Sequence, residues 1–210
     1  MRRRPYLPGG STIVFLSFLL SCTGASTKLT SVWKDSTYEG GFLNSVMVVG
    51  VSDNFQDRKM FEDVFTKRLK SNGMRAVASN VAISSDDQLN RDNIKRSAEK
   101  LGIDAVLVTH LISVEEKTVY RPPPTNPLPP EPYYNNLSSY YPVVSEYTHY
   151  PGYYSKHKYV RLESNLYETA TEKLIWSVKS ETVETATVKQ TIDSLCTAVM
   201  KNLRQNKLIR

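Results

Sequence analysis

The chain predicts an α/β (α+β) fold: one mixed sheet of about five strands, with three helices packed mainly on one face. Three observations predict it. Val46–Val51 is a continuous apolar run followed by residues that cap helices. Ala105–Val108 is a second apolar run that begins just after a helix-ending Gly102. Two alternating segments, around Val160–Leu166 and Leu174–Val178, then precede an amphipathic stretch at the carboxyl end. Helix and strand therefore alternate first, and a hairpin with a closing helix follows.

The elements can be justified in order. Val46-Met47-Val48-Val49-Gly50-Val51 suits a buried central strand. Ser52, Asp53 and Asn54 offer caps, Met60, Phe61, Val64, Phe65 and Leu69 recur at helical spacing, and Asn72-Gly73 closes that helix. A second strand is expected around Ala76–Ala82, then a turn at Ser84–Asp87. The next helix spans about Arg91–Leu101, with Ile94, Ala98 and Leu101 on one face. Ile103–Ile112 should be a central strand, since Ala105–Val108 is apolar toward both faces, and it should run on as an exposed ribbon to Tyr120. Val160, Leu162, Ser164 and Leu166 alternate with more polar residues, as do Leu174, Trp176 and Val178, which predicts an antiparallel hairpin. Thr187 with Gln190 fits a capping box, and Val188, Ile192, Leu195, Val199 and Leu203 mark the buried stripe of the last helix. Cys196 falls on that apolar side and is expected to be a buried thiol.

Two stretches depart from this pattern. Arg121–Ser155 is an insertion rich in proline, with tyrosines crowding its second half: Tyr133, Tyr134, Tyr140, Tyr141, Tyr147, Tyr150, Tyr153 and Tyr154. Proline cannot donate to a sheet ladder, so polyproline-like portions are expected. Tyrosine combines apolar area with a polar tip, which makes these eight side chains the candidate binding residues. The other stretch is the start. Arg2, Arg3 and Arg4 precede an apolar run from Ile13 to Leu20, broken by Ser17, and Ser21-Cys22 follows. Cationic, then apolar, then small is the order of a secretory signal. The run is shorter than the ~18 residues that suggest a spanning helix. Residues 1–21 are thus assigned to a signal peptide, 22–45 to a tether and extended arm, and 46–210 to the α/β domain with its insertion at 121–155.

Leu19-Leu20-Ser21-Cys22 resembles the lipobox of bacterial lipoproteins. The resemblance implies cleavage before Cys22 and acylation of it, so that a membrane becomes the first partner. Thr23 follows where enterobacterial inner-membrane lipoproteins carry aspartate, which implies the outer membrane, facing the periplasm. For the body, Val46–Val51 with its helix, Gly102–Val108, and Leu166–Thr169 leading to Lys173-Leu174-Ile175-Trp176-Ser177 are similar to a group of outer-membrane lipoproteins and their kin. These are the curli-secretion lipoproteins, the TolB amino-terminal domain and the lipoprotein activators of penicillin-binding proteins. The resemblance implies a small α/β fold and an accessory or assembly role at the envelope. The closely spaced prolines of the insertion disfavour the alternating strands of a membrane barrel.

Charge and chemistry narrow the function further. The formal charge is +6 over 210 residues, and three of the cations are the arginines at the start. The remainder is too weak and dispersed to suggest nucleic acid. There is no Gly-x-Ser-x-Gly elbow, phosphate loop or dinucleotide fingerprint. His110 reads as a core or edge histidine, while His149 and His157 read as solvated; Glu115-Glu116 point to opposite strand faces. No catalytic residue, metal or cofactor is expected. The leading expectation is a lipid-anchored, non-enzymatic accessory or assembly factor that contacts an envelope protein or peptidoglycan. An oligomeric outer-membrane secretion component and a periplasmic hydrolase using His110 are the alternatives.

Overall fold

A computed structural model describes residues 25–84, 88–122, 135–149, 152–184 and 187–210. Among them are six strands: β1 (Ser26–Lys34), β2 (Ser45–Val51), β3 (Arg75–Ala78), β4 (Ala105–Arg121), β5 (Tyr153–Glu168) and β6 (Leu174–Glu184). The helices are α1 (Phe55–Ser71), α2 (Ser79–Ala82), α3 (Arg91–Lys100), α4 (Leu137–His149) and α5 (Val188–Gln205). The strands form one mixed sheet in the order β1-β6-β5-β4-β2-β3. β2 is parallel to β3 and β4, and the β4–β5–β6–β1 part is antiparallel throughout. The mixed single sheet is as expected, with one strand and two helices more than the sequence suggested.

Strand periodicity sends alternate residues of β2 and β4 into two cores. Val46, Val48, Ala105 and Leu107 pack with Phe65 and Leu69 of α1 and with Leu195, Cys196, Val199 and Leu203 of α5. Met47, Val49 and Val106 pack on the other face against Ala98 and Ile94 of α3. The two long helices share a face, and α3 takes the opposite one. Covering both sides is what the unbroken apolar runs require. Trp176 of β6 is fully buried in the larger core and donates from its indole nitrogen to Asn202 Oδ1 at 2.9 Å.

Several boundaries differ from expectation for identifiable reasons. Residues 26–34 are not a tether but strand β1, because β6 offers a free edge that Thr27, Leu29 and Val32 can join. Thr27 Oγ1 lies 2.8 Å from Thr182 Oγ1, and Leu29 packs on the larger core. The arm behind it is docked as well: Leu43 is buried and its backbone N–H donates to Leu208 O. The strand expected over Ala76–Ala82 ends at Ala78 and gives way to the short helix α2. Part of the insertion is regular: α4 lies within it, and Tyr153 begins β5. At α5 the capping box is present, yet Val188 is 53% exposed rather than part of the buried stripe. Met60 and Leu101 are likewise exposed, being at the rims of their helices. Cys196 is a free, buried thiol, and burial pushes its pKa up to about 12.

Candidate functional site

The element that leaves the body is the β4–β5 hairpin. β2 ends at Val51, opposite His110, and β6 ends at Glu184, opposite Lys158. β4 and β5 stay paired to Arg121 and Tyr153. Among the described residues, 117–121 against 153–157 is therefore a two-stranded ribbon. Such a pair is marginal in water on its own, and side-chain contacts brace it. Arg161 donates from Nε to Glu181 Oε2 at 2.8 Å and also binds Glu115 from Nη1. These acceptors, Glu181 first, hold the guanidinium above its ordinary pKa. Lys117 lies over the Tyr159 ring at 5.0 Å. His157 Nε2 is 2.9 Å from Ser155 Oγ. A bulge interrupts the β4–β5 register between Leu111 and Ser113, just beyond the end of the β2 pairing.

The tip of this ribbon is aromatic. Tyr120 and Tyr154 are register partners, with ring centroids 5.0 Å apart and planes tilted by 49°. Tyr153 points to the opposite face by strand alternation. All three are mostly exposed, Tyr154 at 73%. Gly152 makes room for them, since a Cβ there would lie 2.3 Å from the Tyr120 hydroxyl oxygen. Of the sequence-predicted tyrosines, Tyr153 and Tyr154 are thus brought together with Tyr120, which the sequence placed on the ribbon but not among the binding residues. Tyr140 and Tyr141 lie exposed on α4, and Tyr147 is on the same helix. Tyr133, Tyr134, Tyr150 and Cys22 lie outside the described residues, as do Asp86 and Asp87.

The other histidine and acid candidates find simple partners. His110 Nε2 stands 3.6 Å from Glu163 Oε2 on the neighbouring strand, and Glu115 is bound by Arg161. His149 is the last residue of α4. Among the described residues no group of three His, Cys, Asp or Glu side chains could hold a metal ion. No helix there is long and apolar enough to cross a membrane.

One buried acid escaped the sequence reading. Glu62, on α1, is fully buried. Its Oε1 accepts from Gly50 N at 3.0 Å and Ser79 Oγ at 2.6 Å, and its Oε2 from Asn80 N at 2.7 Å and Asn80 Nδ2 at 2.9 Å. Arg58 Nε sits 4.0 Å away. With four donors in place the carboxylate clasps α1 to β2 and α2 and has little left to offer a substrate. The available signal was an acid at 62 flanked by Phe65 and Leu69, on the apolar stripe itself. Gly50 lets α1 come this close: a Cβ there would meet Phe61 Cδ1 at 3.2 Å and Arg58 Cγ at 3.3 Å.

Beside this clasp, the first turns of α1 and α5 and the bases of β4 and β5 enclose a cleft of about 360 Å³. Val51, Met60, Leu111, Val114 and Val188 give it apolar walls, and Asp57, Arg58 and Lys158 also line it. On the opposite face, α3 and the β5–β6 turn form a cavity of about 320 Å³. There Arg91 and Lys95 bind Glu172, which sits at φ 57°, and Lys95 first and then Arg91 hold its carboxyl below the usual range.

No known protein family matches the chain, and no curated protein sequence matches it. Solved structures do. A PelC dodecamer from Paraburkholderia phytofirmans is similar at 9% identity and a TM-score of 0.43, over 89% of this chain and 99% of that one. Lipoprotein GNA1162 from Neisseria meningitidis is similar at 16% identity and a TM-score of 0.39, over 77% of this chain and 98% of that one. At these TM-scores the likenesses assign no function to the chain.

Proposed function

We propose that the chain is a lipid-anchored envelope protein that works by contact rather than by turnover, with the β4–β5 ribbon as its contact element. The observation that carries this reading is the exposed cluster of Tyr120, Tyr153 and Tyr154 on a two-stranded arm that leaves both cores. Tyrosines present large amphipathic area while losing little rotamer freedom on binding. A protein surface or a cell-wall polymer is the partner class such a tip suits. The start of the chain supports the anchor: Arg2–Arg4, the apolar run and Ser21-Cys22 follow the order of a lipoprotein signal. Three acyl chains on Cys22 would hold the body firmly, since each buried CH₂ contributes about 0.8 kcal/mol. The outer membrane, facing the periplasm, is the location proposed.

The test is crosslinking in intact cells from photoreactive residues placed at Tyr120 and Tyr154, together with mass analysis of the mature amino terminus. Discrete adducts from both positions, lost when Tyr153 is replaced by serine, are expected, with an acylated Cys22. Adducts equal to those from an exposed site on α1 would remove the ribbon from the account. Oligomerisation is the second reading, favoured by one observation: β4 runs past β2 from Leu111 to Arg121, leaving that edge without a strand partner among the described residues. Native mass measurement after extraction should then give a defined multiple of the chain mass.

A further inference from the structure

We propose that the ribbon end of the sheet faces the membrane that holds Cys22, and that the ribbon seats its tyrosines in a headgroup layer of anionic phospholipid. The inference rests on the reading of Cys22 as an acylated anchor and fixes where the contact reading operates: a protein or polymer partner of the tip is met at the bilayer surface.

The orientation follows from strand register. Ser26 begins β1 opposite Val183, Val183 lies opposite Tyr159, and Tyr159 opposite Glu115. The anchored end of the chain thus enters the sheet at the row where the ribbon starts to leave it. From that row the ribbon extends to Arg121 and Tyr153, about 20 Å at the usual rise per strand residue. Cys22 is four residues before Ser26, so even a fully extended chain spans only about 14 Å between them. The far end of β6, at Leu174, is about 30 Å from Val183. A tether this short cannot reach round the sheet to set its opposite end on the membrane. With the ribbon end down, the ribbon is longer than the tether and meets the surface.

The chemistry of the ribbon suits that surface. Residues 117–121 and 153–157 carry Lys117, Arg121 and Lys156, all exposed, and no acid. Glu115, 3.7 Å from Lys117, offsets part of that charge, so Arg121 and Lys156 supply most of the attraction. Near an anionic leaflet each cation is worth about fivefold in affinity. Tyr120, Tyr153 and Tyr154 join an apolar ring to a hydroxyl, the combination that settles between headgroups and acyl chains. The segment the ribbon carries includes α4, which packs on neither core and exposes Leu137 and Tyr141. Glu146 of α4 is the acid that weighs against this balance. The stretches 117–121 and 153–157 fall short of the ~9–11 residues with which a strand crosses a bilayer, so the contact stops at the headgroups. A cell-wall glycan would match the rings but gives the short tether no role.

The experiment uses the acylated chain reconstituted into vesicles of phosphatidylglycerol and phosphatidylethanolamine, with phosphatidylcholine vesicles as the neutral arm. A nitroxide is attached at Val119→Cys on the ribbon or, as control, at Ser71→Cys at the opposite end of α1; Cys196 is buried and stays unlabelled. Collision with oxygen, set against a water-soluble nickel chelate, gives the depth of each label. The Val119 label is expected at headgroup depth on the anionic vesicles and the Ser71 label in water. Arg121→Gln and Lys156→Gln should each lower the ratio of seated to free ribbon about fivefold on anionic vesicles and leave it unchanged on neutral ones. Both side chains are exposed, so the fold is not at stake. A Val119 label as wet as Ser71 on vesicles that retain the chain would overturn the proposal and leave the anchor standing. Protection of that label only after peptidoglycan or an envelope protein is added would also overturn it. Release of the chain with an unmodified Cys22 would overturn the anchor reading and this inference with it.

Discussion

The two halves of β4 live under different rules. From Ala105 to Thr109 the strand is flanked by β2 and β5 and covered on both faces, and Leu107 is 1% exposed. From Leu111 to Arg121 the same strand loses β2, and its larger apolar side chains are close to half exposed, Leu111 at 51%. The first half is held by removing apolar area from water. The second is held by cross-strand pairing, the Arg161–Glu115–Glu181 cluster and ring contacts. One strand thus carries both scaffold and projection. A single bulge at Leu111–Ser113 separates them.

Mutations should break this comparison in order of burial. Glu62→Ala should cost most, about 3–5 kcal/mol, because it removes a buried charge and orphans the donors around it; urea unfolding of the Cys22→Ser chain measures this. Leu107→Ala should cost about 2–5 kcal/mol through lost burial and the cavity left behind. Removing the α5 cap with Thr187→Ala should cost about 1 kcal/mol. On the ribbon, Val119→Ala should change stability by no more than about 0.5 kcal/mol. A large loss at Val119 would show that the ribbon folds as part of the body.

Cys196 sharpens the same contrast. Burial raises its pKa to about 12, so the neutral thiol is favoured. The stability this contributes is fully present below the ordinary thiol range and is lost as pH climbs from there toward about 12. At neutral pH a thiol reagent should label Cys196 only at the rate of body unfolding. Ribbon variants should leave that rate unchanged, whereas Leu107→Ala should raise it.

What was legible in the sequence follows from the range of each interaction. β2, the base of β4 and the helices α1 and α3 announced themselves by local periodicity, and the Thr187–Gln190 box needs only residues three apart. The ribbon up to Tyr120 was also legible, because β4 keeps its pattern beyond the core. β1 was hidden, since a short polar run becomes a strand only when β6 supplies an edge. The role of Glu62 was hidden as well, because its partners Gly50, Ser79 and Asn80 lie on other elements. Tyr120 and Tyr154 became neighbours through a register set across the whole insertion.

The sequence by itself determined the α/β alternation and the buried thiol at Cys196, both of which depend on residue type and near-neighbour spacing. Tertiary structure alone decided which donors gathered around Glu62 and which tyrosines met at the tip. Those outcomes depend on where distant strands align, and side-chain spacing along one segment carries no record of that.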